Sequence, residues 1–173
     1  MSLRMKSAAL AALLVLGSLG LSAMPAHASA SGGVVHGTGD FLDDWDDEGP
    51  ISQSAYAYSN VAAMWQAILW ADGRLSSTAD IDCRFGPGTH SATVAWQKGN
   101  YLAGDGIVGE NTLFVASLSL SGSAGSGNRI TYDGAYGSRY VTFTRVDNGR
   151  WGMYVGNELK TLWYNDATFS ACS

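Results

Sequence analysis

The chain has 173 residues and a formal net charge of −5, with 46% of its residues hydrophobic. That length holds one domain or two small ones. The acidic balance argues against nucleic acid or an anionic membrane surface as partner, because both are bound through Lys and Arg patches.

The first residues read as an export signal rather than as fold. Arg4 and Lys6 form a short positive region, an apolar run follows from Ala8 to Leu21, and Ala26-His27-Ala28 has the small-x-small pattern of a cleavage site. The expected leader is 1–28, with Ala30 as a nearby alternative cut. The apolar run is short for a membrane span and no basic flank follows it. The expectation is a secreted protein with no membrane attachment after cleavage. Losing Arg4 and Lys6 would take the net charge from −5 to −7. The two cysteines, Cys83 and Cys172, are expected to pair in an oxidising compartment. Two free thiols, or pairing between chains, are the alternatives.

Residues 29–57 are rich in Ser, Gly and Asp and show no sustained period, so they read as a flexible acidic arm. Asp43-Asp44-Trp45-Asp46-Asp47-Glu48 lacks the alternate spacing and Gly turn of a calcium loop. It reads as a solvated linker. From Ser59 the pattern changes. Val61, Met64, Trp65, Ile68 and Leu69 fall on one helical face, Ser59 or Asn60 supplies the N-cap, and Asp72-Gly73 ends the run. A second helix starts at Gly86-Pro87, since Pro is favoured at a first helical position, and stops at Gly99-Asn100. A third covers about 110–118, with Glu110 placed well against the helix dipole.

Gly122 to Gly127 reads as a linker within 121–128. The remainder, 129–173, reads as strands: Tyr140–Val146, a turn at Asp147-Asn148-Gly149, Arg150–Val155, a turn at Gly156-Asn157, then Leu159–Tyr164. A fourth strand is expected near Ile130-Thr131-Tyr132.

A near-repeat organises the helical part. Asp82-Cys83-Arg84-Phe85-Gly86-Pro87-Gly88-Thr89 matches Asp105-Gly106-Ile107-Val108-Gly109-Glu110-Asn111-Thr112. Asp begins each tight turn by bonding to backbone two residues on, and Gly leads into each helix. With Val61 to Ile68, Ile81 to Thr89, Ala92 to Gln97 and Asp105 to Thr112, the segment 61–118 resembles the bacterial peptidoglycan-binding domain of the three-helix type. Cys83 stands where that family usually has Gly, and Glu110 where it usually has Pro. The resemblance implies an α+β chain: a three-helix peptidoglycan-binding-like module over 58–120, followed by a small antiparallel β-meander. It implies peptidoglycan or its fragments as partner.

Glycans and peptides are gripped by aromatic faces and a few oriented polar groups. The candidate ligand-binding residues are Trp70, Asp82, Arg84, Phe85, Thr89, Tyr101 and Asp105. Phe85 also fits a core position and the two Asp fit turn makers, whereas Trp70 and Tyr101 fit the core pattern least well. Beyond the leader only His36 and His90 remain, without zinc-ligand spacing. No Gly-x-Ser-x-Gly elbow occurs. The expectation is a non-catalytic wall-binding protein with no metal or cofactor. The alternatives are a wall-lytic enzyme or accessory acting through the C-terminal β region, and a secreted interaction or inhibitor protein that uses the helical module as scaffold. Its aromatic meander residues (Tyr140, Phe143, Trp151, Tyr154, Trp163 and Tyr164) motivate the last reading.

Overall fold

The computed structural model describes residues 28–123, 125 and 127–172. The expected leader therefore lies, but for its last residue, outside the described residues. Four helices run in chain order: α1 (Ala28–Gly32), α2 (Asn60–Ala71), α3 (Pro87–Gly99) and α4 (Glu110–Ser117), with a 3-10 turn at Thr78–Asp80. Five strands follow: β1 (Leu120–Gly122), β2 (Arg129–Asp133), β3 (Tyr140–Arg145), β4 (Trp151–Val155) and β5 (Glu158–Thr161). They form one antiparallel sheet in the order β1-β2-β3-β4-β5.

Local signals explain the helix ends. The Ser59 hydroxyl accepts from the Ala62 amide at 3.1 Å and caps α2. Pro87 opens α3 at a position where its missing N–H costs nothing. Register in the sheet follows alternation. Ile130 pairs with Phe143 and Tyr132 with Val141, all four buried, while Thr131 and Thr142 pair on the other face.

The expected three-helix module followed by a separate meander is not what forms. The helices and the five-stranded sheet share one hydrophobic core. The reason lies in α2, where every residue except Trp70 is buried. A helix apolar on all sides needs cover on all sides, and two further helices cannot supply it. α3 packs on one flank and β3 on another. The chain near the C-terminus closes over the start of α2, where the Asn60 and Val61 amides donate to the Asp166 and Trp163 carbonyls at 2.7 and 3.2 Å.

The acidic segment before α2 belongs to the same core. Val35 lies between strands, its amide donating to Leu162 and its carbonyl accepting from Trp151 at 3.0 and 2.9 Å. Trp45 is fully buried, with ring centroids 5.3 Å from both Phe143 and Trp151. Burying such a ring contributes about 2–3 kcal/mol. Asp44 beside it accepts from Arg145 Nε at 2.7 Å, Arg145 Nη2 at 2.5 Å and Trp151 Nε1 at 2.7 Å. Burial pushes the Asp44 carboxyl above the usual range, against the lowering effect of Arg145 and Trp151. Glu48, also buried, accepts from the Tyr164 hydroxyl at 2.5 Å. Asp72, just past α2, ties helices to sheet. It accepts from Trp96 Nε1 at 2.5 Å, the Tyr132 hydroxyl at 2.7 Å and the Ala135 amide at 2.8 Å.

Cys83 and Cys172 form a disulfide across a sequence separation of 89. It fastens the C-terminal segment beside the loop that precedes α3. The Tyr58 hydroxyl donates to the Cys172 carbonyl in the same place.

Candidate functional site

Two matching polar knots dominate the helical half. In the first, buried Gln66 donates through Nε2 to Asp82 Oδ1 (2.7 Å), the Arg84 carbonyl (3.0 Å) and Thr89 Oγ1 (3.1 Å), and its Oε1 accepts from the Cys83 amide (2.9 Å). In the second, buried Gln97 donates to Asp105 Oδ1 (2.8 Å), the Ile107 carbonyl (2.9 Å) and Thr112 Oγ1 (3.2 Å), and accepts from the Gly106 amide (2.9 Å). Each Asp also accepts from the amide two residues on, at 2.9 Å in both loops. The correspondence is group for group.

Both knots hang from one strip of backbone. Tyr58 bridges to Arg84 and Ile51 to Val108, both antiparallel. The second knot turns at Gly106, with φ +73°, where a Cβ would also meet the His90 ring at 2.2 Å. The first turns at Cys83 with φ +66°, an L residue in the left-handed region where its counterpart is Gly.

The knots account for several of the sequence-predicted site residues. Asp82 and Asp105 each turn one carboxylate oxygen toward a Gln, and Thr89 turns its hydroxyl the same way. Thr89 and Phe85 are buried. Arg84 is exposed and its guanidinium lies 4.3 Å from the Tyr58 ring centroid. Tyr101 is 98% exposed, at the far end of α3 with φ +60°. These residues do not converge on one cavity.

Trp70 does reach one. It is the single residue of α2 that is not buried, and it lines a groove of about 810 Å³ that runs from the helical half onto the face of the sheet turned away from the core. Ala67, Thr78 and Ile81 line the same side; Arg129, Arg139, Tyr140, Thr142 and Tyr154 line the other. Close approach of the two halves is possible because Gly134 lies against the end of α2, where a Cβ would meet the Ala71 carbonyl at 2.4 Å.

Two guanidiniums and three aromatic side chains therefore face this groove, and among the described residues no carboxylate lines it. Arg139 is largely committed: Nη1 donates to the Trp70 and Leu75 carbonyls at 2.8 and 3.2 Å, and Nη2 to the Ser76 carbonyl at 3.4 Å. It also lies 5.0 Å from the Trp70 ring and 4.7 Å from that of Tyr136. Arg129 is different. It is exposed at the first position of β2, and its guanidinium sits 5.0 Å from the Tyr154 ring.

No family model, curated protein or solved structure matches this chain. The site must be judged on its own chemistry. Among the described residues no group of three His, Cys, Asp or Glu side chains is placed to hold a metal ion. What the groove offers is flat apolar faces with positive charge between them.

Sequence reasoning missed Arg129, Arg139, Tyr140 and Tyr154 as ligand candidates, because only the long-range docking of sheet on α2 brings them to Trp70. It also missed Gln66 and Gln97 as hubs. There a signal existed: the dipeptide Trp-Gln stands in the helix that precedes each loop of the near-repeat, as Trp65-Gln66 and Trp96-Gln97.

Proposed function

We propose that this chain is an exported, non-catalytic cell-wall protein that holds peptidoglycan or its fragments in the groove that runs from α2 onto the sheet. The observation that carries this reading is the row of aromatic faces (Trp70, Tyr140 and Tyr154) along an open cavity of about 810 Å³. Sugar rings present C–H faces that stack on such side chains, and a few polar groups then orient them. The sequence likeness of 61–118 to peptidoglycan-binding domains supports the same partner, and the leader-like start and the Cys83–Cys172 bond accord with an oxidising compartment. With a net-negative protein and an anionic wall, attraction by bulk charge is excluded, so contact must be short-ranged.

Sedimentation with purified sacculi tests the reading. The protein is expected in the pellet across a salt series, and Trp70→Ala with Tyr154→Ala is expected to move it to the supernatant. Parent protein left in the supernatant at every salt concentration overturns it.

A second reading has its own observation. On the outer side of α4, Phe114 and Leu118 are 47% and 64% exposed, and Leu42, whose carbonyl accepts from Ser117 Oγ at 2.9 Å, adds a third apolar side chain. An exposed apolar cluster of this kind suits a protein partner. Capture of a specific partner that is lost in Leu118→Asp would favour this reading over wall binding.

A further inference from the structure

We infer that the groove is selective for acidic glycan, with Arg129 as the group that takes the anion. The inference rests on the wall-binding reading above and deepens it. Its starting point is a local reversal of charge. The protein as a whole is acidic, −5 over the full chain. Yet this groove is lined by two arginines and, among the described residues, by no Asp or Glu.

The two arginines have different duties. Arg139 spends its Nη donors on three backbone carbonyls of the α2 C-terminal loop. It holds Trp70 and Tyr136 in place through its stacked guanidinium, and so is a positioning residue. The Arg129 side chain makes no hydrogen bond or ion pair with any described residue. Its one described contact is the face of Tyr154. That stacking fixes the plane of the guanidinium while leaving its five N–H donors for a ligand. A planar guanidinium with unspent donors, held beside aromatic faces, matches a carboxylate or phosphate carried on a sugar ring. The ring would lie on Tyr154, Tyr140 or Trp70 while the anion meets Arg129. From β3, Thr142 adds a hydroxyl to the lining.

The ligand chemistry is thus an anionic saccharide. Two wall components carry it: peptidoglycan, through its stem-peptide carboxylates, and phosphodiester-linked glycopolymers. The groove chemistry is common to both.

The test is titration calorimetry on the full chain with three probes. They are the neutral N-acetylglucosamine tetramer, a disaccharide-dipeptide fragment of peptidoglycan with free carboxylates, and a soluble glycerol-phosphate polymer substituted with N-acetylglucosamine. The parent is expected to bind at least one anionic probe roughly tenfold or more tighter than the neutral tetramer, with the preference shrinking as salt rises. Arg129→Gln is expected to weaken the anionic probe roughly 10- to 100-fold, as loss of a charge-assisted bond should, and to leave the neutral tetramer within about twofold. Arg129 is exposed and its side chain makes no hydrogen bond, so this variant should fold as the parent does. Lys98→Gln removes an equal charge outside the groove and is expected to change nothing. Whichever anionic probe binds tighter identifies the source.

Equal binding of neutral and anionic probes by the parent overturns the inference and leaves the groove reading standing. So does an anionic probe lost in Trp70→Ala but unchanged in Arg129→Gln. Sacculus binding unchanged in Trp70→Ala overturns the groove reading itself. Failure to bind any of the three probes overturns both.

Discussion

Replacing Gln97 with Met keeps the side-chain volume and removes the amide. Gln97 is 2% exposed and its amide serves four partners: Asp105 Oδ1, the Ile107 carbonyl, Thr112 Oγ1 and the Gly106 amide. Asp105 and Ile107 reach solvent and can exchange the lost bond for water. Gly106 and Thr112 are buried, and Met offers neither a donor nor an acceptor of any strength. A buried group left without its partner costs about 1–3 kcal/mol. Two such groups, less a small return from the more apolar side chain, give a loss of about 2–4 kcal/mol. Urea denaturation followed by tryptophan fluorescence measures it. The midpoint should fall by roughly 1–2 M with the slope unchanged, taking a slope of about 2 kcal/mol/M. Gln66→Met should behave alike, since the disulfide restrains the first knot but supplies no acceptor for the Cys83 amide. A loss below about 0.5 kcal/mol in both variants would refute the view that the two glutamines hold the loops.

Asp72→Ala should leave Trp96 Nε1, the Tyr132 hydroxyl and the Ala135 amide without their shared acceptor, at a cost of about 3–5 kcal/mol; because the core is shared, near- and far-ultraviolet dichroism should still report one coincident transition, and two separate transitions would sink the single-core description. Burial foremost, then the facing carboxylates of Asp72 and Glu48, push the Tyr132 and Tyr164 hydroxyls above the ordinary value of 10.0. Their contribution to stability is therefore complete below pH 10 and is lost as pH rises beyond it. Tyrosinate absorbance should show two of the eight tyrosines silent until the protein unfolds. Glu158 is shifted the other way: the Ser170 amide, then its hydroxyl, then Lys160, hold its carboxyl below the ordinary 4.5. That contribution is present above pH 4.5 and disappears as pH falls through the lower folded value. The protection factor of the Ser170 amide should fall there, and a protection factor indifferent to pH would contradict the tie.

The helices were legible because their signals are local. Ser59, Pro87 and the 3.6-residue spacing of Val61, Met64, Trp65 and Ile68 all act within a few residues. The strands from Tyr140 onward were legible through β-branched alternation, whereas three-residue β1 is too short to show a period. What escaped was whatever depends on partners far along the chain. Asp43 to Glu48 looks like a solvated charge run, and composition alone cannot reveal that Asp44 meets Arg145 at a separation of 101 residues or that Glu48 meets Tyr164 at 116. The same holds for the groove. Trp70 stood out as a misfit on an apolar helix, which marked it as a surface contact, but nothing near it in sequence announced Arg129 or Tyr154.

The position of Cys172 has a consequence for how the molecule is completed. Among the described residues it follows all four helices and all five strands, while its partner sits in the first knot, before α3. The bond can therefore close correctly only on a chain in which every element already exists. A product that stops anywhere within the sheet carries Cys83 as a lone thiol on a loop left uncovered. Thiol labelling of the unreduced protein then separates finished molecules from unfinished ones, and in an oxidising compartment that same distinction is available to any quality-control factor that recognises free thiols.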